Sequence, residues 1–137
     1  MSKYSTQATT FAEGPLLVEA LKEHGYSVVE VHETPQTLID YHGNPRPQKA
    51  NIIVRRAYID SVANDVGFVW NPTTNVYDAI ISEYDASARW KESNVRKLST
   101  LYAEKRMMRN ATSRGLKFVN KTTVNGKVKL NFVQVGR

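Results

Sequence analysis

Cationic side chains interleaved with aromatic ones are the residues of this sequence whose types and spacing suggest a chemistry. Residues 87–137 hold thirteen lysines and arginines against two acidic residues, whereas residues 1–86 hold six against eleven. Cationic side chains contact phosphates, and aromatic rings stack on bases. The basic C-terminal third therefore favours a surface for a polyanion, with nucleic acid as the first candidate. Internal neutralisation of this third by the acidic part of the chain, or binding of another acidic partner, is the alternative.

A segment of the basic third, "LSTLYAEKRMMRNATSRG" over residues 98–115, places charge where a helix should be apolar. At about 100° per residue its apolar residues form one stripe along a helix, and Lys105 and Arg109 lie within that stripe. The two cations are one turn apart and project side by side, so burying them without partners would be strongly unfavourable.

Three arrangements would resolve this conflict, and the sequence leaves all three open. The two side chains can lay their carbon stems on the core and extend their charged heads into water. They can pair with acidic residues of the N-terminal part, for which Asp78, Glu83 and Asp85 are the predicted partners. Alternatively, they line a half-buried pocket that binds an anion, with Tyr102 as one wall of that pocket.

The predicted binding site joins these residues to other basic and aromatic side chains of the C-terminal third. Trp90 stands between Arg89 and Lys91 in a polar stretch, so its ring is expected to be exposed and able to stack on a base. Because no known RNA-binding consensus is present, sequence-specific readout is not predicted. The predicted site for nucleic acid or a phosphate-bearing ligand consists of Lys105, Arg109, Tyr102, Arg106, Trp90, Lys127 and Lys129.

Other kinds of chemistry have little support in the sequence. The absence of cysteine excludes disulfides, thiolate nucleophiles and the usual structural zinc sites. The seven glycines are never fewer than ten residues apart, so neither a phosphate-binding loop nor a dinucleotide-binding motif is present. The three histidines, His24, His32 and His42, lack the spacing of metal ligands. We therefore expect no metal, no cofactor and no enzymatic activity.

The acidic pair in "SEYD", Glu83 and Asp85, is the remaining candidate for catalysis. On a strand the two carboxylates would share one face at a separation of about 7 Å. Paired carboxylates can serve in acid–base chemistry. Two acids at the end of a strand are more often a solvated edge or partners of a basic helix, and this second interpretation is favoured.

The elements that must position these residues follow from hydrophobic periodicity and turn residues. Pro15 suits the first turn of a helix, and Gly25 suits the residue after its last turn. Three of the five prolines fall within 34–49, which predicts a loop. The first two thirds thus contain a strand over 4–11, a helix over 15–24, a strand over 26–33, the loop over 34–49, a strand over 50–59 and a hairpin over 65–85.

The basic third is predicted to contain a helix over about 90–114 and a final hairpin around Asn125-Gly126. A two-residue turn there fixes the pairing of the two strands, with Val119 opposite Phe132. One face of the hairpin is then expected to enter the core and the other to face water. The core-facing residues are Val119, Val128, Leu130 and Phe132, and the water-facing residues are Lys127, Lys129, Asn120 and Asn131.

The predicted order of elements is β-α-β-β-β-β-α-β-β, and the chain has the length of about one domain. We predict a single α+β domain over 1–137, with an antiparallel sheet and two helices packed on one of its faces, in a ferredoxin-like or related arrangement. No apolar run approaches the ~18 residues of a membrane span, and residues 1–11 lack the apolar region of a secretory signal. A cytoplasmic protein without a membrane partner is expected.

Four stretches resemble a family of unknown function: "ST" near the start, "LVEALKEHGYSV", "DVGFVWNPTTNVYDAIISEYD" and "KLSTLYAEKRMMRNATSRGLKFV". This DUF1257-like family is the conserved hypothetical plastid reading frame, with relatives in cyanobacteria and their phages. The resemblance covers most of the chain, whereas the loop over 34–49 and the pair Arg55-Arg56 depart from the family's pattern. It implies a cytoplasmic or plastid-stromal setting and brings no catalytic residue and no cofactor.

The function predicted from these observations is that of a non-catalytic accessory protein, which binds nucleic acid or a nucleotide-like anion through its basic C-terminal third. The alternative is an oligomeric assembly or interaction protein with a protein partner, or with further copies of this chain. Under this alternative, residues 51–59, "NIIVRRAYI", form an edge strand whose arginines limit uncontrolled pairing.

Overall fold

Seven strands and three helices make up the computed structural model of the protein, which describes residues 3–135. The elements are β1 (Tyr4–Gln7), α1 (Gly14–His24), β2 (Glu30–Ile39), β3 (Pro45–Val54), β4 (Val66–Asn71), β5 (Val76–Ser82), α2 (Glu83–Ala86), α3 (Glu92–Ser113), β6 (Leu116–Val124) and β7 (Lys127–Gln134). A turn of 3-10 helix over Arg56–Tyr58 joins β3 to β4. The predicted α+β class is confirmed, and the helix predicted over 90–114 is α3.

The main sheet has five antiparallel strands in the order β1-β5-β4-β3-β2. Strands β2 to β5 follow one another as a meander, and β1 closes the other edge by pairing with β5. A ferredoxin-like chain, with the order β-α-β-β-α-β, has a helix between its third and fourth strands. Here only the 3-10 turn lies at that point, so the fold is a related arrangement. Strands β6 and β7 form a separate two-stranded sheet.

Helices α1 and α3 pack on the same face of the main sheet, as predicted. Leu17 and Leu21 of α1 and Leu98 of α3 are fully buried against it. The helix–sheet interface forms because apolar residues recur at helical spacing in α1 and alternate along the strands. The sheet contributes Ile52, Val54, Val66, Phe68, Ala79 and Ile81 to this core.

The segment predicted as a loop over 34–49 is instead most of a long hairpin, and that prediction is wrong. Strand β2 continues to Ile39, and β3 begins at Pro45. Proline is tolerated here because β2 is an edge strand, whose pairing with β3 shifts between Val31 and Gln36, around Pro35. Pro45 is the first residue of its strand, where proline is also accepted.

The strand predicted over 50–59 ends at Val54, and it is not an edge strand, since β3 lies between β2 and β4. The arginines that follow it stabilise a turn rather than protect an edge. The Arg55 guanidinium donates to Asp65 Oδ2 at 2.8 Å and to Glu30 Oε2 at 2.9 Å. The Arg56 guanidinium donates to the Ala63 carbonyl at 3.1 Å. The pair therefore holds the connection between β3 and β4.

The second face of the main sheet carries a small apolar cluster of Leu38, Ala50, Ile53 and Ile80. The cluster closes because β4 has a glycine where the β2–β3 hairpin crosses it. A Cβ atom on Gly67 would lie 2.4 Å from the Cβ of Ala50 and 3.0 Å from Cδ2 of Leu38. Both distances are too short for carbon–carbon contact, so only glycine permits this approach.

We expect the substitution Gly67→Ala to lower the free energy of unfolding by about 1–3 kcal/mol, because the added methyl group overpacks this cluster. Urea unfolding followed by circular dichroism measures the change. The double substitution Gly67→Ala/Ala50→Gly removes the closest contact and should recover part of the loss. A Gly67→Ala protein as stable as the parent would contradict the close packing of the hairpin on β4.

Candidate nucleic-acid interface

Helix α3 is anchored to the start of α1 by Tyr102, one of the predicted site residues. Its side chain is only 3% exposed, and its ring lies 5.0 Å from that of Phe11, centroid to centroid. The Tyr102 hydroxyl accepts hydrogen bonds from the backbone N–H groups of Ala12 at 3.1 Å and Glu13 at 3.0 Å. Because Glu13 precedes α1 and makes no side-chain cap, the tyrosine takes over part of the capping of that helix.

The two cations of the apolar stripe, Lys105 and Arg109, pair with acidic residues of the N-terminal part. Lys105 Nζ lies 3.3 Å from Glu23 Oε1, near the end of α1. The Arg109 guanidinium donates to both carboxylate oxygens of Glu13, at 2.5 and 2.8 Å. Lys105 thus meets the end of α1, whereas Arg109, one turn further along α3, meets its start. The two helices therefore run antiparallel. Of the three arrangements open at the sequence level, the structure contains the pairing with acids.

The acids in these pairs differ from the predicted partners Asp78, Glu83 and Asp85. Asp78 lies on β5 and accepts a hydrogen bond from the side-chain amide of Asn71 at 2.9 Å. Glu83 is exposed, and Asp85 is fully buried, with Ser82 and Asn64 as its partners. The partners of Lys105 and Arg109 come instead from α1 and the residue before it, because these are the segments that α3 crosses.

Both ion pairs are half exposed, so they contribute little to stability. The hydrogen bond from Arg109 holds the pKa of the Glu13 carboxyl below its usual value. The carboxylate is therefore ionised at neutral pH, and the charge of Arg109 is neutralised locally. Lys105 and Arg109 belong to the internal contact between the acidic and basic parts of the chain.

Trp90 was expected to be exposed, and this prediction is wrong. Its side chain is 2% exposed and stacks on Tyr26, with ring centroids 5.2 Å apart and an angle of 8° between the rings. The edge of the indole also meets Phe68. The polar neighbours of Trp90 hide this role, because the chain turns sharply before α3 and carries the ring inward. The backbone N–H of Trp90 donates to the Asp85 carbonyl at 2.7 Å. Trp90 therefore belongs to the core.

The acidic residues of "SEYD" do not share a strand face, since β5 ends at Ser82 and α2 follows. The Ser82 hydroxyl caps α2 by accepting from the Asp85 N–H at 3.1 Å. Asp85 is fully buried, and its Oδ2 accepts hydrogen bonds from Ser82 Oγ at 2.7 Å and from Asn64 Nδ2 at 3.2 Å. Burial raises the pKa of the Asp85 carboxyl. Glu83 is exposed, so the two carboxylates lie in different environments.

Strands β6 and β7 form a ribbon whose pairing is largely as predicted. The turn residues Asn125 and Gly126 both have positive φ, as a type I′ turn requires. Lys121 pairs with Leu130, but Phe132 pairs with Phe118 rather than with Val119. The register shifts between Phe118 and Asn120, so Val119 forms a bulge.

One face of the ribbon packs on α3, and it is much less buried than predicted. Lys121 contacts Glu104 of α3, with Nζ 3.0 and 3.1 Å from the two carboxylate oxygens. Phe118 and Val128 are 38% and 40% exposed. The expected entry into the core fails because the ribbon is separate from the main sheet, and α3 covers only part of this face.

The other face of the ribbon points to solvent and is mostly polar, with Val124 and Val133 as its apolar residues. Asn120 and Asn131 share a hydrogen bond of 2.7 Å across the two strands. Thr122 pairs with Lys129 next to them. The lysines of this face are Lys117, Lys127 and Lys129, all exposed, as predicted for the last two.

The cations of the basic third fall into two groups within residues 3–135. Five of them form ion pairs: Arg89 with Asp60, Arg96 with Glu92, Lys105 with Glu23, Arg109 with Glu13 and Lys121 with Glu104. No ion pair of the described residues involves the second group, which consists of Lys91, Lys97, Arg106, Arg114, Lys117, Lys127 and Lys129. The second group includes Arg106, Lys127 and Lys129 of the predicted site.

The predicted site omitted four members of this group, Lys91, Lys97, Arg114 and Lys117, of which Arg114 and Lys117 lie next to or on the ribbon. Arg106, Asn110 and Arg114 recur at intervals of four residues, and this spacing places them on one stripe of α3. This spacing is visible in the sequence. The apolar stripe that contains Lys105 and Arg109 is the stronger pattern, and it directed the predicted site to two cations that pair with acids at α1.

Residues 3–135 contain neither a membrane-spanning helix nor a cluster of metal ligands. None of their helices is long and apolar enough to cross a membrane. Among the same residues, no group of three His, Asp or Glu side chains is placed to hold a metal ion.

Residues 17–131 match the sequence pattern of a family described as protein of unknown function (DUF1257). The chain belongs to this family. The match confirms the resemblance noted in the sequence, and it extends from α1 through α3 into β7. The DUF1257 region thus contains both groups of cations. No curated protein and no solved structure matches the chain.

The ribbon is held to α3 by Lys121, and we expect Lys121→Met to loosen it. The Glu104 side chain is 9% exposed, so removing the ammonium group leaves a nearly buried carboxylate without its partner. The free energy of unfolding should fall by about 1–3 kcal/mol, and amide hydrogens of β6 and β7 should exchange faster. Urea unfolding and hydrogen exchange measure the two effects.

The matched control is Lys129→Met on the solvent face of the same ribbon, where no ion pair of the described residues is lost. It should leave both measurements close to those of the parent. Equal effects of the two substitutions would show that Lys121 does not attach the ribbon to the helix.

Proposed function

We propose that this DUF1257 protein is a non-catalytic accessory protein that binds nucleic acid through the ribbon and the adjoining side of α3. The observation that carries the proposal is the solvent face of the ribbon. Lys117, Lys127 and Lys129 lie on that face, and none of them pairs with a carboxylate of residues 3–135. Residues 116–134 contain no acidic residue at all. Such a face attracts the phosphate backbone of a nucleic acid.

The expected sequence dependence and salt dependence of binding follow from the lysine side chains of this face. Lysine contacts to phosphate fix position and orientation but carry no sequence information. We therefore propose binding that depends little on sequence and weakens steeply as the salt concentration rises. A cytoplasmic or plastid-stromal setting, where nucleic acid is present, is part of the same proposal.

A second candidate function is that of an oligomeric assembly protein, and exposed apolar side chains on the ribbon favour it. Exposed apolar surface can mark a protein interface. The exposed apolar residues of the ribbon and its end are Phe118, Val119, Val124, Val128, Val133 and Val135. Under this candidate function the lysines would keep the free ribbon soluble, and light scattering after size-exclusion chromatography would show a dimer or larger assembly.

The nucleic-acid proposal predicts that the triple substitution Lys117→Gln/Lys127→Gln/Lys129→Gln weakens binding and its dependence on salt. The probe is a fluorescein-labelled oligothymidylate followed by fluorescence anisotropy at several salt concentrations. Each phosphate contact contributes about 0.7 to the slope of log affinity against log salt for a single strand. Loss of three contacts should therefore reduce the slope by about 2.

The control removes the same charge from elsewhere on the surface, with Lys3→Gln/Lys22→Gln/Lys49→Gln. These lysines are exposed and lie in the acidic part of the chain. The control should keep the salt slope of the parent. Absence of binding by the parent at low salt would overturn the proposal, and so would an equal loss of slope in both triple variants.

A further inference from the structure

A groove of about 470 Å³ runs between α3 and the base of the ribbon. Its apolar lining comes from Met107 and Ala103 on α3 and from Leu116 and Phe132 on the ribbon. Met107 is 52% exposed, although it lines this concave surface. The volume and the apolar lining of the groove are typical of a site that binds a small organic group.

Polar side chains are spaced four residues apart along the α3 side of this groove. Arg106 and Arg114 are two turns apart, which is about 12 Å along the helix axis. Both are exposed, and neither takes part in an ion pair of residues 3–135. Asn110 lies midway between them on the same stripe and also lines the groove. Within the described residues, the side-chain amide of Asn110 has no hydrogen-bond partner.

We propose that this groove receives an unstacked base of a single-stranded nucleic acid, and that the protein therefore prefers single strands to duplexes. The apolar lining packs against the face of the base, and the amide of Asn110 meets its edge. Arg106 and Arg114 contact the phosphates on either side. This inference rests on the proposed nucleic-acid function and adds the form of nucleic acid that is bound.

Among amphipathic ligands, a nucleotide matches the chemistry of the groove best. A base offers an apolar face and a hydrogen-bonding edge together, and the flanking phosphates match two guanidinium groups on the same stripe. The solvent-facing lysines of the ribbon lie on the face opposite Leu116 and Phe132, so a continuing backbone reaches these further cations by passing around the edge of the two-stranded ribbon. In a duplex each base is stacked and paired, so only a single strand can place a base in the groove. Discrimination therefore arises at the groove, whereas the ribbon lysines bind either form.

The test compares an oligothymidylate with a hairpin duplex of the same phosphate number, both labelled with fluorescein, by anisotropy at one salt concentration. The parent should bind the single strand more tightly. Ala103→Leu adds bulk to the groove without changing charge or helix propensity appreciably. It should weaken single-strand binding about fivefold or more, the loss expected for one stacked base, and leave duplex binding unchanged.

Thr112→Leu is the matched control, because Thr112 is exposed on α3 and does not line the groove. It should bind both probes like the parent, and circular dichroism should show both variants folded. Met107→Gln, which makes the lining polar, should repeat the effect of Ala103→Leu. Equal affinity for the two probes, or single-strand binding that neither groove variant weakens, overturns this inference and leaves the ribbon proposal standing. Failure to bind either probe overturns both.

Discussion

The packing of α3 across α1 is the interaction on which the rest of the structure depends. The buried hydroxyl of Tyr102 accepts the N–H groups of Ala12 and Glu13, which otherwise have no cap at the start of α1. Leu98, one turn earlier on the same stripe, is fully buried in the core that the two helices share with the sheet. These two contacts fix the rotation of α3 about its own axis. Every other side chain of α3 then has a determined environment.

This rotation divides the positive charge of the C-terminal third into two parts with different roles. Lys105 and Arg109 face α1 and pair with its acids, so internal neutralisation accounts for them. Arg106 and Arg114 line the groove beside the ribbon and take part in no ion pair of residues 3–135. Because Gly115 connects α3 directly to the ribbon, the same rotation also turns one ribbon face onto the helix and the other to solvent. The two interpretations of the charge asymmetry therefore apply to different residues.

Local patterns predicted the parts of the fold that local chemistry controls. Both long helices follow from apolar periodicity, and the ribbon turn follows from Asn125-Gly126. The β2–β3 hairpin was missed because its prolines favour a loop, and their tolerance depends on β2 being an edge strand, which is a property of the whole sheet. Trp90 was misplaced for a similar reason: its neighbours are polar, and its burial depends on Tyr26, far along the chain. The sequence could not predict which acids pair with Lys105 and Arg109, because residues 1–86 contain eleven acidic residues and only the packing of the helices selects among them.

The most direct test of this division of charge is the binding of oligothymidylate to two charge-matched double variants of α3, titrated with salt. Lys105→Gln/Arg109→Gln removes the cations that face α1, and Arg106→Gln/Arg114→Gln removes those that face the groove. The account predicts that the first variant keeps the affinity and salt slope of the parent, although it leaves Glu13 and Glu23 unpaired. The second should bind more weakly, with a salt slope lower by about 1–2. A first variant that loses as much affinity as the second would contradict the account.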